Sequence, residues 1–195
     1  MARFGYELIS VLAILIALAI VGLHLDAWTE GARGDDAFMH LSRVQYVLDS
    51  FPRLSWYRQW FAGYPPIEFY DIGYYVVLAA SHVVSGLSLE TLLTASAFFG
   101  LAASGLAIYV LGRVLGLPRL LCLGFAFLFL ANPEIWNWLL TGGGYKRLFA
   151  LPFNLLSIAL VYLHAARIDR GQESRLLYLA TVIVLALSAG QDPLI

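Results

Sequence analysis

Long apolar runs alternate with short polar interruptions along the chain. The apolar windows are Leu8–Leu25, Ile72–Leu89, Leu92–Leu115, Leu120–Leu140, Phe149–Ala166 and Leu176 to the end. A hydrocarbon core about 30 Å thick takes roughly 20 apolar residues per helical crossing, so the pattern predicts about five or six spans. Arg3 ahead of the first run gives it the look of a secretion signal. Leu8–Leu25 outlasts the h-region of about 7–15 residues, and no small-x-small cleavage site follows before Asp26, so it is expected to remain as the first span.

The arginines set the expected orientation. Arg3 precedes the first span, Arg113 and Arg119 flank "VLGLP", and Arg167, Arg170 and Arg175 crowd "RIDRGQESR". The positive-inside bias puts all three regions in the cytoplasm. The loop 26–71 is then outside, and an odd number of crossings must bring the chain back to Arg113, although two apolar windows intervene. Ile72–Leu89 is the weaker of the two, being short and carrying Ser81, His82 and Ser85. It is predicted as a juxtamembrane or re-entrant helix over 72–89, which leaves spans near 8–25, 92–112, 120–140, 149–166 and 176–195. The expected class is an all-α, polytopic helical membrane protein, multi-pass in the cell membrane with a cytoplasmic N-terminus. "TGGGYKR", "SAGQDP" and the large first loop then share the outer face.

Composition agrees with this pattern. Charged residues make up 13% of the chain against about 25% in an ordinary soluble domain, and the mean hydropathy is +0.77. The net charge of −1 says little, because placement matters more than the sum, and nothing in the pattern calls for a nucleic-acid partner. Cys122 is the lone cysteine, so no disulfide framework or cysteine metal site forms within the chain. The sequence stops about one helix into its last apolar segment and is read as the N-terminal part of a longer chain.

Chemistry concentrates in Gly34–Asp71. "GDDAFMHLSRVQYVLDS" predicts a helix starting near Asp35 as N-cap, with Phe38, Leu41, Val44 and Leu48 on one apolar stripe. Asp36, His40 and Arg43 follow at i, i+4 and i+7 and share another face. That face can accept a proton, bind a metal ion or hold a phosphate. Equally, Asp36 can favour the positive helix end while His40 and Arg43 form a solvated surface. The second half of the loop combines Trp56, Tyr57, Trp60, Phe61, Tyr64, Phe69 and Tyr70 with Arg53 and Arg58, and Gly63, Pro65 and Pro66 fix a turn. Interfacial aromatics are ordinarily an anchoring belt, but so many beside arginines and a fixed turn suit a ligand with a greasy tail, a phosphate and a sugar.

The pattern "DDxxxHLxR", the following Pro and Trp, and "GYPPxxxYD" before the next apolar run resemble the first outer loop of membrane glycosyltransferases of the GT-C superfamily. The nearest pattern within it is the prokaryotic membrane family labelled 6-pyruvoyl-tetrahydropterin-synthase-related. The pterin chemistry of that label is not expected, since no histidine trio for zinc is present. The resemblance implies a GT-C-like N-terminal module whose large first outer loop contains juxtamembrane helices, and a sugar donor carried on polyprenyl phosphate in a lipid environment. It makes Asp36 or Asp35 the candidate base and leaves a divalent cation beside them open. His40 would orient or charge-balance the carboxylate, and Arg43, Arg58, Trp60 and Tyr64 would line the substrate site. "TGGGYKRLFALP" is similar to the family's later outer loop, where Lys146 and Arg147 would hold the donor phosphate, or else snorkel as interfacial cations. Gln191 and Asp192 stand where relatives often carry a polar motif with histidine.

Transfer from such a donor is one expectation. A non-catalytic lipid or glycolipid binder, or an accessory subunit with partner membrane subunits, is the other. Glu134 and Asn137 are expected near the outer end of a span, and Gly100, Ala103 and Ser104 suggest close helix packing.

Overall fold

The computed structural model describes residues 2–25, 31–54, 72–172 and 174–189, without side-chain detail at 2–4, 188 and 189. All regular structure in these residues is helical: α1 Ala2–His24, α2 Ala37–Ser50, α3 Gly73–Ser85, α4 Leu89–Val114, α5 Arg119–Leu130, α6 Pro133–Leu140, α7 Tyr145–Ile168 and α8 Arg175–Ala189. Four stretches are long and apolar enough to cross a membrane: Gly5–His24, Leu89–Val114, Arg119–Leu140 and Tyr145–Ile168. α3 has 13 residues, about 20 Å of helix, and falls short of a bilayer core. α8 is described over 15 residues, ending before Gln191 and Asp192, which lie outside the described residues.

Contacts at the helix ends fix the directions of the bundle. Glu7 near the start of α1 pairs with Arg113 near the end of α4, and Arg119 at the start of α5 stacks on Tyr6. At the opposite end the segment after α1 meets the start of α4, with Gly31 beside Glu90, and meets the turn after α6, where Asp35 N–H donates to the Thr141 carbonyl at 2.9 Å. α1 and α5–α6 therefore run one way, and α4 and α7 the other. α2 and α3 pack together at the second end, next to the first turns of α4.

The apolar window 120–140 is not one helix. Asn132 accepts from the Glu134 N–H at 3.0 Å and Pro133 opens α6, so the chain stops at Leu130 and restarts. Proline suits a first helical position, where its missing N–H costs nothing, but not the interior of a longer helix. The break is tied by Trp136, whose indole N–H donates to the Leu130 carbonyl at 2.6 Å.

α4 and α7 make the most extensive contact. Gly100 lies so close to α7 that an added Cβ would sit 2.3 Å from the Leu148 carbonyl oxygen. Pro152, inside α7, has no N–H to offer that same carbonyl four residues earlier. The oxygen released by the proline thus points at the glycine, a geometry suited to a weak Cα–H···O contact.

The expected faces of α2 are kept only in part. Val44 is buried and Leu41 and Leu48 partly so, but Phe38 is 79% exposed, whereas His40 and Arg43 are 5% and 4% exposed. The solvated alternative for His40 and Arg43 is therefore corrected. Local periodicity assigns the apolar stripe to the core, but Tyr75 of α3 and the carbonyl of Gly143 offer polar partners on the other side.

Candidate functional site

Two glycines bring the polar loops together. Gly34 and Gly143 both have positive φ, 94° and 70°, and an added Cβ on Gly34 would lie 2.4 Å from the Gly143 nitrogen. One on Gly143 would lie 3.0 Å from the backbone nitrogens of Asp36 and Ala37. Backbone therefore rests on backbone, an approach that side chains at these positions would block. Tyr145 adds a clamp: its hydroxyl accepts from the Arg33 N–H at 2.5 Å and donates to the Arg33 carbonyl at 2.6 Å.

Asp35 and Asp36 are both exposed at this junction. The N-cap of α2 is Asp36, not Asp35, and its side chain makes no capping hydrogen bond. Lys146 and Arg147 do not sit in a loop but in the first turn of α7. Lys146 is half-buried and is close enough to disfavour a charge on His40, whereas Arg147 is exposed with its guanidinium 4.4 Å from the Trp138 ring centre. Glu134 and Asn137 are exposed on α6, and Asn137 accepts from the Thr141 hydroxyl. Arg58, Trp60 and Tyr64, with the rest of 55–71, lie outside the described residues.

Behind the carboxylates lies a buried polar string. His40 Nε2 is 3.0 Å from the Gly143 carbonyl oxygen, and Nδ1 is 3.0 Å from the Tyr75 hydroxyl, which is 2.9 Å from Arg43 Nη1. Directions follow from what each atom can do. A carbonyl only accepts, so Nε2 carries the proton; in the neutral ring Nδ1 accepts, so Tyr75 donates to it and accepts from Arg43. The imidazole is enclosed by the rings of Tyr74, Tyr75 and Tyr145, with centroids 6.3, 5.8 and 5.9 Å away. Burial, reinforced by the Arg43 charge, lowers the His40 pKa to about 4, although the Gly143 carbonyl and Asp36 pull the other way. Both ring nitrogens are engaged, Nδ1 by Tyr75 and Nε2 by Gly143, so neither is left to hydrogen-bond Asp36.

Tyr74 donates to Ser96 at 2.7 Å, Ser96 in turn donating to the Leu93 carbonyl, and this ties α3 to α4. Burial pushes the Tyr74 phenol well above its ordinary pKa. Sequence reasoning passed over Tyr74, Tyr75 and Tyr145 because hydropathy counts tyrosine as apolar and hides the hydroxyl. The run of glycines at 142–144 was the readable signal for close backbone approach.

On the outward face of α2, an open groove of about 630 Å³ runs between Phe38, Leu41 and Gln45 and the start of α4 at Ser88–Glu90. Among the described residues no group of three or more His, Cys, Asp or Glu side chains is arranged to hold a metal ion. Comparison with family models, curated proteins and solved structures finds no match to this chain.

Proposed function

We propose that the chain is a glycosyltransferase-type membrane protein that moves a sugar from a polyprenyl-phosphate donor to an acceptor hydroxyl on the extracytoplasmic side. The observation that carries this reading is the docking of Gly34–Asp36 onto Thr141–Gly144, which puts two exposed carboxylates and the cations of α7's first turn at one end of an apolar bundle. A lipid-linked phosphate would arrive at that level, its tail among the helices. Arg113, Arg119 and the arginines at and around the α7–α8 link, Arg167, Arg170 and Arg175, occupy the other end, which the positive-inside bias makes cytoplasmic.

In this reading the Asp36 carboxylate takes the proton of the acceptor hydroxyl as its oxygen bonds to the anomeric carbon. The bond from that carbon to the phosphate oxygen breaks, and polyprenyl phosphate leaves with the electron pair. Lys146 and Arg147 stabilise its charge, Arg147 with its guanidinium held over the Trp138 ring. Asp35, with its backbone pinned to Thr141, stands as the neighbouring carboxylate.

One observation favours a non-catalytic lipid or glycolipid binder instead: His40 is committed to Tyr75 and Gly143, so Asp36 has no imidazole to tune it. Sugar transfer from a polyprenyl-phosphate donor in proteoliposomes decides between the two. The Asp36→Asn protein is expected to lose about 10²–10⁴-fold in transfer rate while still binding the donor lipid. Equal transfer by wild type and Asp36→Asn would leave the binder.

A further inference from the structure

The groove beside Phe38 and the arginine and tyrosine cluster at the far end of the bundle offer apolar surface or charge, but nothing that defines a ligand. The string Arg43–Tyr75–His40–Gly143 offers more, because the direction of each of its three hydrogen bonds is fixed. We infer that Tyr75 and His40 are positioning residues: acting through the Gly143 carbonyl, they hold the glycine turn of α7 against the Asp36 end of α2, and a proton on His40 releases it. This rests on the proposed site for its significance, but the strut joins the two loops whatever reaction they serve.

The geometry contains the switch. In the neutral ring one nitrogen donates to Gly143 and the other accepts from Tyr75. A second proton turns Nδ1 into a donor aimed at an oxygen that already accepts from Arg43 Nη1, with the Arg43 guanidinium carbon 5.6 Å from the Tyr75 ring centre. Two cations would then share one hydroxyl in a nearly water-free site, a burial cost that Gly143 and Asp36 offset only in part. The groups facing the ring are Asp36 and Arg43 on its own helix, Tyr74 and Tyr75 on α3, and Tyr145 and Lys146 on α7. Of these, only Asp36 carries a charge that favours the imidazolium. Hydrating the charged ring means withdrawing it, and with it goes the tether on Gly143.

The test uses the full chain with Cys122→Ala and a reporter Ala37→Cys, a position that is buried and borders Gly143. A pyridyl disulfide labels it between pH 7.5 and 4, and a second protein with Ser85→Cys, at an exposed site, corrects for thiolate fraction. The corrected rate is expected to rise with acid by up to about tenfold per pH unit below about 6.5, since each unit shifts opening by the proton linkage of one group. His40→Gln, whose amide can still donate to Gly143 but does not titrate, should label slowly at every pH. Tyr75→Phe, which removes the donor that holds Nδ1 neutral, raises the pKa of the packed state alone, so its acid rise should level off at a higher pH and be smaller in total. A flat wild-type profile, the same acid rise in His40→Gln, or a rise in Tyr75→Phe as large in total as that of wild type would each overturn the inference. Sugar transfer plays no part in this readout, so failure of the strut and failure of the transferase reading are separately visible.

Discussion

The two ends of the bundle are closed by different physics. At one end Glu7 pairs with Arg113 at 3.3 Å, accepts from the Tyr109 hydroxyl, and leaves its own side chain 39% and that of Arg113 33% exposed. Arg113 also donates to the Leu117 carbonyl, so one guanidinium ties α1 to the turn after α4. At the other end neutral hydrogen bonds and two abutting glycines do the joining, nearly out of reach of water. Charge at a wet boundary tolerates small errors of placement and is weakened by salt. Buried directed bonds do not tolerate such errors and are little weakened by salt, so the end that carries the candidate site is the end whose geometry is specified.

Three experiments sharpen that contrast. The largest effect is expected from Gly34→Ala or Gly143→Ala, where a left-handed backbone and a blocked contact combine to cost about 3 kcal/mol or more. Gly116→Ala, at the other end, has a similar positive φ with nothing within 4 Å of the added carbon and should cost only about 1 kcal/mol. Thermal melting in detergent compares them, and equal losses would show that the glycine contact adds nothing.

Acid should act next. Because the folded pKa of His40 is lowered, the unfolded chain binds the extra proton first as pH falls, so the contribution is full above about 6.5 and is lost progressively toward about 4. Wild type should therefore lose melting temperature across that window relative to His40→Gln. Parallel curves for the two proteins would remove His40 as the source.

Smallest is the charged end: Glu7→Gln should cost less than about 1 kcal/mol, and the difference should shrink as salt is raised. A loss of several kcal/mol that resists salt would mean that the pair acts as a buried one.

The helical, membrane-type architecture was legible because hydropathy over long windows is a property of the chain alone. So was the shortness of the segment after residue 72, which its serines and histidine already marked. The face of α2 was not. His40 is buried by partners 35 and 103 residues away, and no local period reports them. Phe38 went to the outside although it began the apolar stripe, because Tyr75 and the Gly143 carbonyl meet the imidazole inside and Tyr75 also meets the guanidinium. The junction of the Gly34 and Gly143 loops was suggested only as a shared side, since nothing in spacing says that two glycines touch.

The proline in α7 and the glycine in α4 carry a consequence for how this protein can vary. A side chain at 100 would press on the carbonyl that Pro152 leaves outside the helical ladder, and would push α7 away from α4. Replacing Pro152 alone supplies an N–H that draws the Leu148 carbonyl back into the ladder and empties the contact at Gly100. In drift or redesign the constraint runs one way: position 100 stays closed to side chains whatever stands at 152, because an added carbon would also lie 2.6 Å from the Leu148 carbonyl carbon and 2.9 Å from the Phe149 nitrogen.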